Sequence, residues 1–136
     1  MESANYSRRD VLDKLGIKPG MAIVFDAGVA LLDEALRHRI LARVGRAPSV
    51  QGEPADVVLA CVRNSGEAAE ALGLWKPRLK LAGGIWLLSA KCGQTGHVDQ
   101  RDLIAAGLAA GLVDNKVCSI SATVSAMRFV IRRTDR

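Results

Sequence analysis

Aromatic residues are scarce in this chain: two Trp, one Tyr and two Phe make up 4% of it. A surface that reads RNA bases by stacking needs such rings interleaved with positive charge, and this composition argues against one. Histidine is rarer still, with only His38 and His97. No Ser/His/Asp or Cys/His nucleophile arrangement is visible, and two histidines leave little choice for one. Cysteines are few and odd in number, Cys61, Cys92 and Cys118, with no C-x-x-C spacing. That excludes a disulfide framework and points to reduced thiols. No apolar run approaches the ~18 residues a membrane helix needs. The first ten residues, "MESANYSRRD", lack the apolar centre of a secretory signal. Internal repeats and low-complexity segments are absent as well. A cytoplasmic protein with no membrane partner is the resulting expectation.

What remains is an ordinary globular composition, 49% hydrophobic and 24% charged over 136 residues. That length fits one domain, 1–136, with one core, burying roughly two-thirds of the extended chain's surface. The net charge is +5. Such a balance favours encounter with an anionic partner, though by itself it says nothing of the fold.

Residues 1–6 read as a frayed tail. Ser7, with Asp10 three residues on, makes a capping-box pattern for a helix ending at Leu15, and Gly16 and Pro19 punctuate its end. "MAIVFD", 21–26, is a continuous apolar run of strand length, as expected of a strand covered on both faces. Val29, Leu32, Leu36, Ile40 and Val44 recur at three- and four-residue spacing and predict a helix over 29–44. The loop that follows has room for a short edge strand at 47–51. "ADVVLACV", 55–62, is a second buried strand. Ser65 starts a helix that Pro77 interrupts, "LAGG" closes it, and "GIWLLSA", 84–90, is a third strand. Asp99 is placed to cap a helix through Ala110, with Gly111 as the left-handed residue that ends it. "LVDNKVCSI" and "AMRFVIRR" flank the polar turn "SATVS", a closeness that demands a hairpin, since a parallel crossover needs a dozen or more residues. Strand–helix alternation with a terminal hairpin predicts a three-layer α/β sandwich with a mostly parallel sheet and right-handed crossovers.

The segments "LKLAGGIWLLSAK", "LIAAGLAAGLVDNKVCSI" and "AMRFVIRR" resemble the C-terminal half of a class I methyltransferase fold. More closely, "LGIKPG", "ADVVLACVR", "GGIWLLSAK" and "GLVDNKVCSISATVSAMRFVIRR" are similar to a bacterial family described as domain of unknown function 3052. That resemblance covers nearly the whole chain. It implies a Rossmann-like, methyltransferase-like fold and no particular activity. The chain departs from the family pattern at Ser89, Ala90, Lys91 and Cys92, where Trp-Pro-Lys-Lys tends to stand, and at Val124, where a tryptophan does.

Ligands of doubly wound sheets bind beyond the carboxyl ends of the strands, so the crevice candidates are Asp26, Gly28, Arg63, Ser65 and Lys91. An adenosyl or dinucleotide site needs several glycines in its first turn, and "FDAGVA" has one. It also needs a carboxylate at the end of the second strand. Glu53 is the only acidic residue in the loop after the 29–44 helix, and it precedes Pro54 at the entrance of a strand, on the wrong rim. A helix–strand–helix portion is missing, so no cofactor is expected. Cys61, Cys92 and His97 are residue types that bind zinc, but the paired close spacings of structural zinc sites are absent, and buried apolar cysteines are the simpler reading. Lys91 is the first residue to consider for anion binding, against the simpler reading of a solvated lysine. Trp75 and Trp86 read as core.

Helix carboxyl ends lie opposite the crevice in βαβ units. Arg39, Arg43 and Arg46, then Lys76, Arg78 and Lys80, then Arg132 and Arg133 therefore gather on one edge. Cations near helix carboxyl ends are favoured by ~0.3–1 kcal/mol each, which accounts for the first two groups but not the strand-end arginines. An anionic macromolecule, nucleic acid or acidic protein, is the partner such an edge would take. Exposed outer strands also allow a homodimer through a sheet edge. The leading expectation is a non-catalytic binding or interaction module on a degenerate methyltransferase-like fold. The alternative is a reduced S-adenosylmethionine-dependent methyltransferase, or another nucleotide-binding enzyme, using the residual crevice.

Overall fold

A computed structural model describes residues 10–26, 31–50 and 52–136. Helix α1 (Val11–Lys14) is followed by β1 (Ile23–Phe25), α2 (Glu34–Val44), β2 (Ala55–Cys61), α3 (Ser65–Trp75) and β3 (Leu79–Ala90), with a 3-10 turn at Lys76–Arg78 before β3. Helix α4 (Gln100–Ala109), β4 (Leu112–Ser119) and β5 (Val124–Ile131) complete the domain, and a 3-10 turn at Arg133–Asp135 follows. The sheet runs in the order β1-β2-β3-β5-β4. β1, β2 and β3 pair in parallel, and β5 pairs antiparallel with both β3 and β4. The expected α/β sandwich with a C-terminal hairpin is the architecture observed.

Apolar residues on both faces explain why the strands read as continuous runs. Val58, Ala60, Ile85, Leu87, Met127 and Phe129 face one cluster with Ala68, Leu72 and Leu103 of α3 and α4. Val57, Leu59, Trp86, Leu88 and Ala126 face the other, with Leu12, Leu36 and Ile40 of α1 and α2. Each strand contributes alternate side chains to the two faces, so a one-residue slip would exchange both cores at once. Trp86 is fully buried, and its Nε1 donates to Leu15 O at 3.1 Å, tying α1 to the central strand.

Several boundaries differ from the sequence reading. Asp10 is itself the cap of α1, accepting from Leu12 N. Ser7, residues 1–6, Gly28 and Val29 lie outside the described residues. α2 begins at Glu34 because the Asp33 carboxylate accepts from Leu36 N at 2.7 Å. α3 is capped by Asn64 rather than Ser65. β3 begins at Leu79, so "LAGG" is strand and not a helix end: once Pro77 has tightened the chain into a 3-10 turn, Leu79 pairs with Ala55. Segment 47–50 forms no strand, yet Ser49 N donates to Ile23 O at 2.8 Å beside β1. The left-handed Gly111 (φ 81°) does end α4, as the sequence requires. Among the described residues, no helix is long and apolar enough to cross a membrane.

Candidate functional site

The carboxyl ends of β1, β2 and β3 open on a cavity of about 870 Å3. Its volume lies in the range typical of small-molecule sites. Leu31, Val62, Ala71, Leu74 and Ala90 give it apolar walls, and Asp26, Arg63, Glu67, Glu70 and Thr95 a polar rim. Asp26 is placed by its amide, which continues the β1–β2 ladder to Leu59 O at 2.9 Å. Arg63 follows β2 and is held by Glu67 one helical turn on. Its Nη2 lies 2.7 Å from Glu67 Oε2, and its own amide donates to Glu67 Oε1 at 2.8 Å. Asn64 Oδ1 accepts from Glu67 N at 2.8 Å, closing the start of α3. The Arg63 guanidinium, through that hydrogen bond, holds the Glu67 carboxyl below its ordinary range.

Of the crevice candidates, Asp26 and Arg63 line this cavity. Ser65 is exposed at the first position of α3 and does not line it. Gly28 lies outside the described residues. Lys91 is carried past it: its Nζ donates to Ser119 Oγ at 2.6 Å and it borders a different cavity, between β3, β5 and α4. Sequence reading missed Glu67, Glu70 and Leu74. Their spacing with Ala71, at i, i+3, i+4 and i+7, puts one stripe of α3 on the rim, and that period was the available signal.

Among the described residues, one part of an adenosyl site is lacking. In a doubly wound sheet the first strand is internal, and the strand on its far side carries the carboxylate for the ribose hydroxyls. Here β1 pairs only with β2 among the described strands. Glu53 is turned to the opposite rim, its carboxylate taken up by Arg46 at 2.7 Å and Ser49 Oγ at 3.1 Å.

Among the described residues, no group of three His, Cys, Asp or Glu side chains gathers. His97 instead places Nδ1 2.9 Å from Ala90 O and Nε2 3.5 Å from Asp99. Cys92 is exposed and Cys61 half-buried at the crevice.

Most of the expected basic edge is engaged internally. Arg39 pairs with Asp10 at 2.5 Å, Arg43 with Asp13 at 2.7 Å, Arg46 with Glu53 and Lys80 with Asp56 at 3.0 Å. Lys76 Nζ donates to Ala110 O at the end of α4, and Arg78 lies over the Trp75 ring, 5.5 Å from its centroid. Arg132 and Arg133 are exposed. Carboxylates at positions 10, 13, 53 and 56 were the sequence signal for this pairing, but their proximity depends on tertiary contacts that spacing does not reveal.

Solved structures share this fold. The calicheamicin-biosynthesis methyltransferase CalO1, bound to S-adenosylhomocysteine, has TM-score 0.57 at 19% identity, covering 97% of this chain and 55% of its own. The pyocyanin biosynthetic protein PhzM has TM-score 0.61 at 9% identity, covering 97% and 56%. The neocarzinostatin O-methyltransferase NcsB1 has TM-score 0.55 at 15% identity, covering 82% and 42%. This chain thus spans about half the length of these structures, and the likeness is one of fold. No curated protein is detectably similar in sequence. Residues 12–133 match the family described as "Protein of unknown function (DUF3052)", and the chain belongs to that family.

Proposed function

We propose that this protein is a non-catalytic binding module on a shortened methyltransferase-like fold, whose ligand has an apolar body and enters the crevice beyond β1, β2 and β3. The observation that carries this reading is the cavity of about 870 Å3, apolar inside and charged at its rim, at the carboxyl ends of strands whose first member is the sheet edge among the described strands. Apolar walls supply the affinity and a few polar groups fix orientation. On this reading the Arg63–Glu67 pair and Asp26, which line the cavity, orient the ligand. The adenosyl ligands of the methyltransferase structures favour a competing enzymatic reading. It lacks, among the described strands, a strand beyond β1 to carry the ribose-holding carboxylate.

The basic edge is a weaker basis for a partner, because Asp10, Asp13, Glu53 and Asp56 already pair with four of its cations. Titration with the fluorescent probe anilinonaphthalene sulfonate tests the crevice. Saturable enhancement is expected, weakened several-fold by Leu74→Gln, which changes an exposed wall residue without opening the core. No saturable enhancement, or an identical titration in the variant, contradicts the reading.

A further inference from the structure

Strand register brings polar side chains to a second cavity, apart from that crevice. Ser89 on β3 is paired with Ser125 on β5, and Ser125 with Ser119 on β4. Directly paired residues share a sheet face, so three hydroxyls form a row on the side covered by α4. Lys91, two residues beyond Ser89, shares that face. Its backbone amide is fixed by Thr123 O at 2.8 Å, and its ammonium donates to Ser119 Oγ at 2.6 Å. An ammonium has three donors, so two remain.

Ser89 is only 4% exposed and borders a cavity of about 420 Å3, where its hydroxyl has no hydrogen-bond partner among the described residues. The Ser89 hydroxyl is not fully enclosed by protein, so it opens on the cavity and is free to bond a ligand there. The start of the ten-residue helix α4 borders the same cavity at Gln100. Asp99, at its N-cap, makes no side-chain bond to the helix amides and faces His97 instead. Those first-turn amides carry the positive end of the helix dipole. Leu103, Val117 and Met127 supply apolar walls, and no carboxylate lines the cavity among the described residues.

We propose that this cavity binds a small organic oxyanion. The anionic head sits among Lys91, Ser89, Ser125 and the start of α4, and a short apolar body lies against Leu103, Val117 and Met127. Ser89, which the strand pattern treats as one more buried position, is the specificity-determining hydroxyl.

The test is an amide NMR titration at constant ionic strength with benzoate, inorganic phosphate and benzyl alcohol. Benzoate is expected to give saturable shifts centred on Ser89, Gln100 and Ser125, with phosphate weaker and benzyl alcohol weaker by about tenfold or more, since it has the body without the charge. Ser89→Ala and Lys91→Gln should each weaken benzoate about fivefold or more while their spectra remain those of the folded protein. The proposal is overturned by silence from benzoate up to about 50 mM. Unchanged affinity in both variants, binding of phosphate but not benzoate, benzyl alcohol matching benzoate, or shifts centred on Asp26 and Arg63 would overturn it equally.

Discussion

The two tryptophans show how local environment sets the cost of one substitution. Trp86 is fully buried and its Nε1 donates to Leu15 O. Trp86→Phe removes that bond, leaves a buried carbonyl unpaired and opens a void, costing about 2–4 kcal/mol in urea denaturation. A loss under ~1 kcal/mol would show that the α1 tie contributes little. Trp75, half-buried, has its Nε1 enclosed without a partner among the described residues. Trp75→Phe discards an unsatisfied donor along with some apolar area, so the net change should stay within ~1 kcal/mol of zero. Both read as core in the sequence, because alternation and helical spacing report burial but not where an indole nitrogen finds its acceptor. Glu53 carries the clearest pH dependence. Its hydrogen bond from Arg46, reinforced by Ser49 and the Val50 amide, lowers its pKa to about 2. A depressed carboxylate contributes stability above its unfolded pKa, and that contribution is lost as pH falls through the folded one. Wild type should therefore exceed Glu53→Gln in melting temperature at neutral pH, and the gap should close between about pH 4.5 and 2. A gap that persists unchanged at pH 2 would contradict this.

At the scale of elements, α4 separates intrinsic preference from packing. Gly107 lies within the helix, where alanine is favoured by about 1 kcal/mol. A Cβ there would meet the Phe129 ring at 2.4 and 2.6 Å. Overpacking of a buried site costs about 1–3 kcal/mol, so Gly107→Ala should destabilise the protein despite the better helix former. A stabilised variant in chemical denaturation would show that α4 can move away from the sheet. Such close approach is invisible in a sequence, where Gly107 is one more small residue in "AAGLAAG". The strands were far more legible. β1, β2 and β5 were visible as apolar runs and β4 as half of a tight hairpin, because covered strands must be apolar on both faces. The start of β3 was misread, because Pro77 and two glycines resemble loop punctuation when the pairing of Leu79 with Ala55 is unknown. Ser89 was missed for a related reason: its row with Ser125 and Ser119 exists only through register across three strands.

At the scale of the molecule, connectivity decides what the crevice can do. Among the described residues, α2 is the one regular element between β1 and β2, too little for the strands that flank β1 in a full doubly wound sheet. The shortage was readable from the spacing of Asp26 and Asp56 alone. The neutralisation of basic residues was not readable, since Arg39 and Arg43 reach Asp10 and Asp13 only after α1 packs on α2. Isothermal titration calorimetry with S-adenosylhomocysteine tests the central claim most directly. The account expects no saturable heat with ligand at about 1 mM, corresponding to binding weaker than about −4 kcal/mol. A one-to-one isotherm with a dissociation constant in the low micromolar range would contradict it, because a sheet ending at β1 would then be gripping an adenosyl group.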